Sequence, residues 1–166
     1  MRRLILLRHA KSDWGDSSLR DFDRPLSSRG QRDAPRIGKA LLKRGVTPDY
    51  IVSSPAARAR ATVQAVKKAA ELIEEINFDE TIYGASSAEL LKLIRRLPAE
   101  RAFVLMVGHN PGFEDLVGRP VGAHHRMPTA ALACIELALN HWTDVEDRKG
   151  HLLWLITPKQ LDASSE

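Results

Sequence analysis

Apolar residues fall along this chain in two rhythms, short unbroken runs and longer stretches in which they recur every three or four positions. Residues 4–7, 49–52 and 102–107 are runs of strand length, and such runs read as strands buried on both faces. Between them, Ala34, Ile37 and Leu41 mark one face of a helix over residues 27–43, in which Gly30 and Pro35 predict a kink. Ser54 followed by Pro55 is an N-cap with proline at the first helical position, and Val63, Val66, Ala70 and Ile73 recur behind it at helical spacing. Ser86 with Glu89 three residues on forms a capping box ahead of Leu90, Leu91, Ile94 and Leu97. Residues 131–139 and 152–156 read as two late strands joined by the polar stretch 140–150, and the tail after Leu161 reads as frayed. Strand-length runs alternating with helical patterns are the signature of an α/β layer fold.

Composition narrows the frame. With 166 residues, 43% hydrophobic and 28% charged, the chain can bury one good core and is too short for two ordinary domains, so residues 1–166 read as a single domain. Lys and Arg number 25 against 21 Asp and Glu, and the net charge of +4 is dispersed, a mild bias toward acidic or phosphorylated ligands. The one cysteine, Cys134, excludes an internal disulfide and fits a reducing compartment, where it reads as a small buried apolar residue. Only four apolar residues separate Arg2-Arg3 from Arg8, too few for an export signal, and no stretch has the length of a membrane span. The expectation is a cytoplasmic protein without a membrane partner.

The candidate chemistry lies where the three early strands end. The first ends in Arg8-His9, the second in Ser53-Ser54-Pro55-Ala56-Ala57-Arg58, and the third in Gly108-His109-Asn110-Pro111. Ligands of open α/β sheets bind beyond the carboxyl ends of the strands, so parallel neighbours would bring two arginines and two histidines into one crevice. That set suits a tetrahedral dianion: a guanidinium engages phosphate oxygens through a planar fork, and the free N–H groups of a helix start add partial positive charge.

Arg8-His9-Ala10, the segment from Ser54 through Arg58 to Thr62, and Gly108-His109-Asn110-Pro111-Gly112 resemble, in order and spacing, the signature of the histidine phosphatase superfamily, the phosphoglycerate-mutase-like enzymes. Within it, Arg8-His9-Ala10-Lys11-Ser12, Tyr83-Gly84-Ala85-Ser86 and the segment from Met127 to Leu132 are similar to the SixA-type phosphohistidine phosphatases. The resemblance runs from Leu4 to about Pro158. It implies a three-layer αβα sandwich with a mainly parallel sheet, His9 as a nucleophile that forms a covalent phosphohistidine, and Arg8, Arg58 and His109 as phosphate-binding groups, with no metal or other cofactor. Many members carry glycine after the Arg-His pair and asparagine seven positions beyond the arginine, where this chain has Ala10 and Gly15. Glu80 matches the spacing of the acid in the mutase-like branch; it would protonate the leaving group, or else cap a loop or pair with Lys67 or Arg95.

Three functions follow from this reading. The first is a phosphatase acting on phosphohistidine of a signalling or phosphotransfer protein. The second is the same chemistry on a small phosphomonoester. The third is a non-catalytic module binding nucleic acid or phosphopeptide, against which stand the modest charge and the lack of interleaved aromatic and basic residues, so no nucleic-acid partner is expected. The polar stretch between Ser12 and Leu26, with Trp14, Arg20, Asp21, Asp23 and Arg24, is long enough to wall a pocket, and Arg20 and Arg24 could touch an acidic partner, although a solvated loop whose Asp23 and Arg24 pair with each other or brace the following helix is the plainer expectation. His124 and His125 are adjacent and lack the i, i+4 spacing of a helical metal pair, so they read as exposed loop residues, as do His141 and His151. Trp142 and Trp154 read as packing residues.

Overall fold

The computed structural model describes residues 1–164. In chain order the elements are β1 (Arg2–Arg8), α1 (Ser28–Lys43), β2 (Tyr50–Ser53), α2 (Ala57–Ala69), β3 (Ile76–Phe78), α3 (Ser87–Arg95), β4 (Phe103–Gly108), α4 (Gly112–Val121), β5 (Leu132–Leu137), β6 (Gly150–Ile156) and α5 (Pro158–Ser164), with short 3₁₀ turns at Asp21–Asp23, Glu80–Ile82 and Trp142–Asp144. The six strands form one sheet in the order β3-β2-β4-β1-β5-β6. The first four are parallel, and β5 and β6 run antiparallel at the far edge.

Side chains alternate across a strand, and the two cores follow from that period. Leu4 and Leu6 of β1, with Val104 and Met106 of β4, pack against α3 and α4 through Leu90, Ile94, Phe113 and Val117. Ile5 and Leu7, with Leu105 and Val107, face the other way onto Ile37 and Leu41 of α1 and Val63 and Val66 of α2. The result is the αβα sandwich with a mainly parallel sheet. Fully burying a residue such as Leu or Ile stabilises the fold by roughly 1.5–3 kcal/mol, and in β1 four consecutive apolar residues are buried. Cys134 sits in the second of these cores, and Trp142 is buried in the first.

Several elements differ from the sequence reading. Helix α1 begins where Ser27 caps it, its hydroxyl accepting from Gly30 N, and runs continuously across Gly30 and Pro35. Ser54 does not cap α2. The helix starts three residues later behind Ala56, because the Ser54 hydroxyl turns toward His109. Nor does Ile73 belong to the core: α2 ends at Ala69, the backbone turns left-handed at Glu71, and Ile73 is 89% exposed. The edge strand β3 and the helix α4 were not expected. The tail expected to fray after Leu161 is helical through Ser164, and residues 165–166 lie outside the described residues. No helix among the described residues is long and apolar enough to cross a membrane.

Candidate active site

Parallel pairing aligns the strand ends. Arg8 stands opposite Gly108 and Ser53 opposite Val107, so the residues that follow β1, β2 and β4 meet at one edge of the sheet. There a cavity of about 230 Å³ is lined by Arg8, His9, Arg58, His109 and Asn110, with Lys11, Ser12, Trp14, Arg24 and Thr129 around its mouth. A wider groove of about 410 Å³ runs along α4, where Arg119 pairs with Asp147 and His124 with Glu114. The residues of the three strand ends lie in the smaller cavity.

His9 is buried, and its Nδ1 lies 2.7 Å from the carbonyl oxygen of Ala10. A carbonyl only accepts, so Nδ1 carries the proton and the lone pair sits on Nε2. Burial pushes the ring's pKa down to about 3, against the pull of the Ala10 carbonyl, with the neighbouring His109, Arg58 and Arg8 adding to the fall. The ring is therefore neutral at neutral pH, with Nε2 unprotonated. The Ala10 amide is itself held by Thr62 Oγ1 at 3.0 Å, and the Thr62 hydroxyl donates to the carbonyl of Arg58. The segment after His9 is thus tied to the first turn of α2.

Arg8, Arg58 and His109 line the same cavity as that ring. Arg8 Nη1 donates to Met127 O, and the Met127 backbone is held by Glu114 and Asn110 from the start of α4. The rings of His9 and His109 lie 5.2 Å apart, and the Tyr83 ring meets His109 edge-on at 5.4 Å. Burial lowers the pKa of His109 to about 4, helped by the Arg58 charge. The buried side-chain nitrogen and oxygen atoms without a hydrogen-bond partner are, among the described residues, Arg8 Nε, Arg58 Nε and His109 Nδ1. An unpaired buried polar group costs roughly 1–3 kcal/mol, and here one stands at the end of each of the three strand segments that the sequence analysis singled out.

The sequence reading placed Asp21 in the stretch that could wall a pocket but gave it no contact with the site. Its Oδ2 accepts from Arg58 Nη2 at 3.0 Å and from the Tyr83 hydroxyl at 2.6 Å, its Oδ1 from Arg24 Nη2 at 2.7 Å, and its backbone oxygen from Arg58 Nη1 at 2.7 Å. The hydrogen bond from Tyr83, with those from the two arginines, holds this carboxyl far below the usual carboxylate range. Arg58 and Tyr83 lie 37 and 62 positions away, which no local pattern reveals. The loop that carries it pairs differently from the expectation: Arg20 binds Asp23, and Arg24, buried, binds Asp21. Trp14 stays 68% exposed at the cavity mouth with the Arg24 guanidinium over its ring.

Glu80 opens a short 3₁₀ turn, exposed to solvent and outside the cavity lining. It forms none of the alternative contacts: Asp79 supplies the cap, and Arg95 donates to Val145 O. His124 is exposed and pairs with Glu114, and the described residues hold no cluster of three or more His, Cys, Asp or Glu side chains able to hold a metal ion.

Comparison with known proteins agrees with this geometry. The model of the histidine phosphatase superfamily, branch 1, matches residues 4–102, and the chain belongs to that family. A proposed phosphohistidine phosphatase SixA from Agrobacterium tumefaciens has a crystal structure that superposes with a TM-score of 0.81 at 33% identity, over 95% of this chain and 98% of that one. An uncharacterised chloroplastic protein of Arabidopsis thaliana is 34% identical over 152 residues, 86% of this chain and 70% of the relative. Phosphoglycerate mutase 1 of Saccharomyces cerevisiae is 35% identical over 103 residues, 55% of this chain and 42% of the mutase.

Proposed function

We propose that the protein is a cytoplasmic, metal-independent phosphatase that removes the phosphoryl group from phosphohistidine on a signalling or phosphotransfer protein, through a covalent phosphohistidine at His9. The observation that carries this reading is the neutral His9, its lone pair on Nε2, in a cavity also lined by Arg8, Arg58 and His109, each with a buried side-chain nitrogen that has no partner. Nε2 attacks phosphorus in line, the bond from phosphorus to the leaving nitrogen breaks, and the phosphorylated ring keeps its Nδ1 proton on the Ala10 carbonyl, which stabilises the positive charge that the ring gains. Arg8, Arg58 and His109 hold the non-bridging oxygens, where negative charge is stabilised in a site largely closed to water. Water then attacks phosphorus, the phosphorus–Nε2 bond breaks, and His9 and inorganic phosphate are released. Glu80, three residues before the Tyr83 that touches His109, is the candidate donor of the leaving-group proton.

The protein substrate is favoured by the likeness to the Agrobacterium protein over nearly the whole chain and by the compact chain, which leaves little room for a large lid over a small molecule. The partial match to the mutase favours a second reading, the same chemistry on a small phosphomonoester. Parallel assays of a phosphohistidine protein and a panel of sugar and glycolytic phosphates decide between them: kcat/KM should be highest on the former, and a higher value on any small phosphate gives the second reading. In both cases His9→Ala should abolish turnover and the acid-labile, alkali-stable label that radioactive substrate leaves on the protein. Label retained in the mutant would move the nucleophile elsewhere.

A further inference from the structure

The geometry points to Ser54 as a positioning residue that fixes His109 in the tautomer with its proton on Nδ1, so that this ring presents a neutral N–H donor to the transferred phosphoryl group. His109 Nε2 lies 2.8 Å from Ser54 Oγ, with both side chains buried. Ser54 Oγ also accepts from the amide of Ala56 at 3.3 Å, and no other partner reaches it. A hydroxyl has one hydrogen to give, and with the Ala56 amide pointing at its oxygen that hydrogen has one acceptor within reach, His109 Nε2. The opposite tautomer would direct two N–H groups at Ser54 Oγ and leave the hydroxyl hydrogen buried without an acceptor, at a cost of about 1–3 kcal/mol. Counting donors against acceptors therefore selects the proton on Nδ1.

The selection matters because His109 is neutral at physiological pH, its burial having lowered its pKa to about 4, and a neutral imidazole has one N–H. On Nε2 that proton would point away from the cavity. On Nδ1 it sits on a buried atom that has no partner within the protein, in a ring that lines the cavity 5.2 Å from that of His9. Ser54 can do this because it is not spent as a helix cap, α2 being capped by Ala56 with no side-chain hydrogen bond. Holding the non-attacking nitrogen of a histidine to set the other one is a recurrent way to orient the ring without charging it.

The consequence for turnover rests on the phosphatase reading, whereas the tautomer does not, and two measurements keep them apart. In the whole protein labelled with ¹⁵N, long-range ¹H–¹⁵N correlation spectra distinguish the two tautomers of each histidine, and His109→Gln assigns the signal. The parent should show His109 protonated on Nδ1, and Ser54→Ala should shift it toward the Nε2–H form. A parent ring protonated on Nε2, or a signal unmoved in Ser54→Ala, overturns the proposal. The parent spectrum decides this even if the alanine variant fails to fold. On an aryl phosphate Ser54→Ala should lower kcat about tenfold to a hundredfold, less than deletion of an oxyanion donor, with Ser54→Thr restoring most of it. A rate left unchanged by Ser54→Ala overturns the catalytic half, and absence of turnover in the parent with the Nδ1–H signal in place overturns the phosphatase reading alone.

Discussion

Two nitrogens of Arg58 are committed to Asp21, one to its carboxylate and one to its backbone oxygen, and the third, Nε, is buried and unpaired. The division explains why an arginine stands here. A lysine keeps the charge, but its three N–H groups leave from one point and cannot reproduce the planar fork that spans the Asp21 carboxylate and backbone oxygens and leaves Nε over. Arg58→Lys should cost about two to three orders of magnitude in kcat, as loss of a transition-state donor does, while far-ultraviolet circular dichroism stays that of the parent. A loss of only a few-fold would place Arg58 outside the chemistry. The meeting of His9, Arg8, Arg58 and His109 in one cavity could be expected from the sequence because each stands at, or within a few residues beyond, a strand end that announces itself, whereas the place of Asp21 could not, since its contacts with Arg58 and Tyr83 are made only on folding.

At the scale of elements, the strands of the parallel core and the starts of α1 and α3 were legible because hydrophobic period and capping serine agree there. They disagree at α2, where Ser54 has the chemistry of a cap and a different partner, and at α4, whose apolar Phe113, Leu116 and Val117 stand among Gly112, Gly118 and Pro120, residues that argue against a helix. The edge strand β3 has three residues, too few for a period. Gly30 presents another kind of evidence. A Cβ at this position would lie 2.2 Å from the carbonyl oxygen of Lys11, which also accepts from the amide and hydroxyl of Ser27. The start of α1 is thereby clamped onto the segment that follows His9. Gly30→Ala, neutral or favourable in an open helix, should destabilise by about 1–3 kcal/mol in urea titrations and lower activity by shifting Lys11 and Ser12 at the cavity mouth. Unchanged stability would mean that this contact yields freely.

For the whole molecule, the two site histidines make stability depend on pH. Both are neutral in the folded protein down to about pH 4 and 3, but take up protons near pH 6.5 once the chain unfolds. Between those limits the unfolded state binds more protons, so their contribution to stability is complete above pH 6.5 and is lost as the pH falls toward 4. Urea midpoints measured across that window should fall more steeply for the parent than for His9→Gln, and parallel curves would show that His9 titrates normally in the fold. The placement of β1 has a consequence of another kind. It lies in the middle of the sheet with β4 and β5 on either side, the His9 amide bonded to Gly108 and the Arg8 amide to Ala131. The strand that carries Arg8 and His9 thus emerges from the ribosome long before the segments that hold it in place, and such distant pairings form slowly. One edge of this apolar strand stays open until β4 has been added and the other until β5 has, so the surroundings of His9 are completed only late in synthesis, with the closing of the sheet.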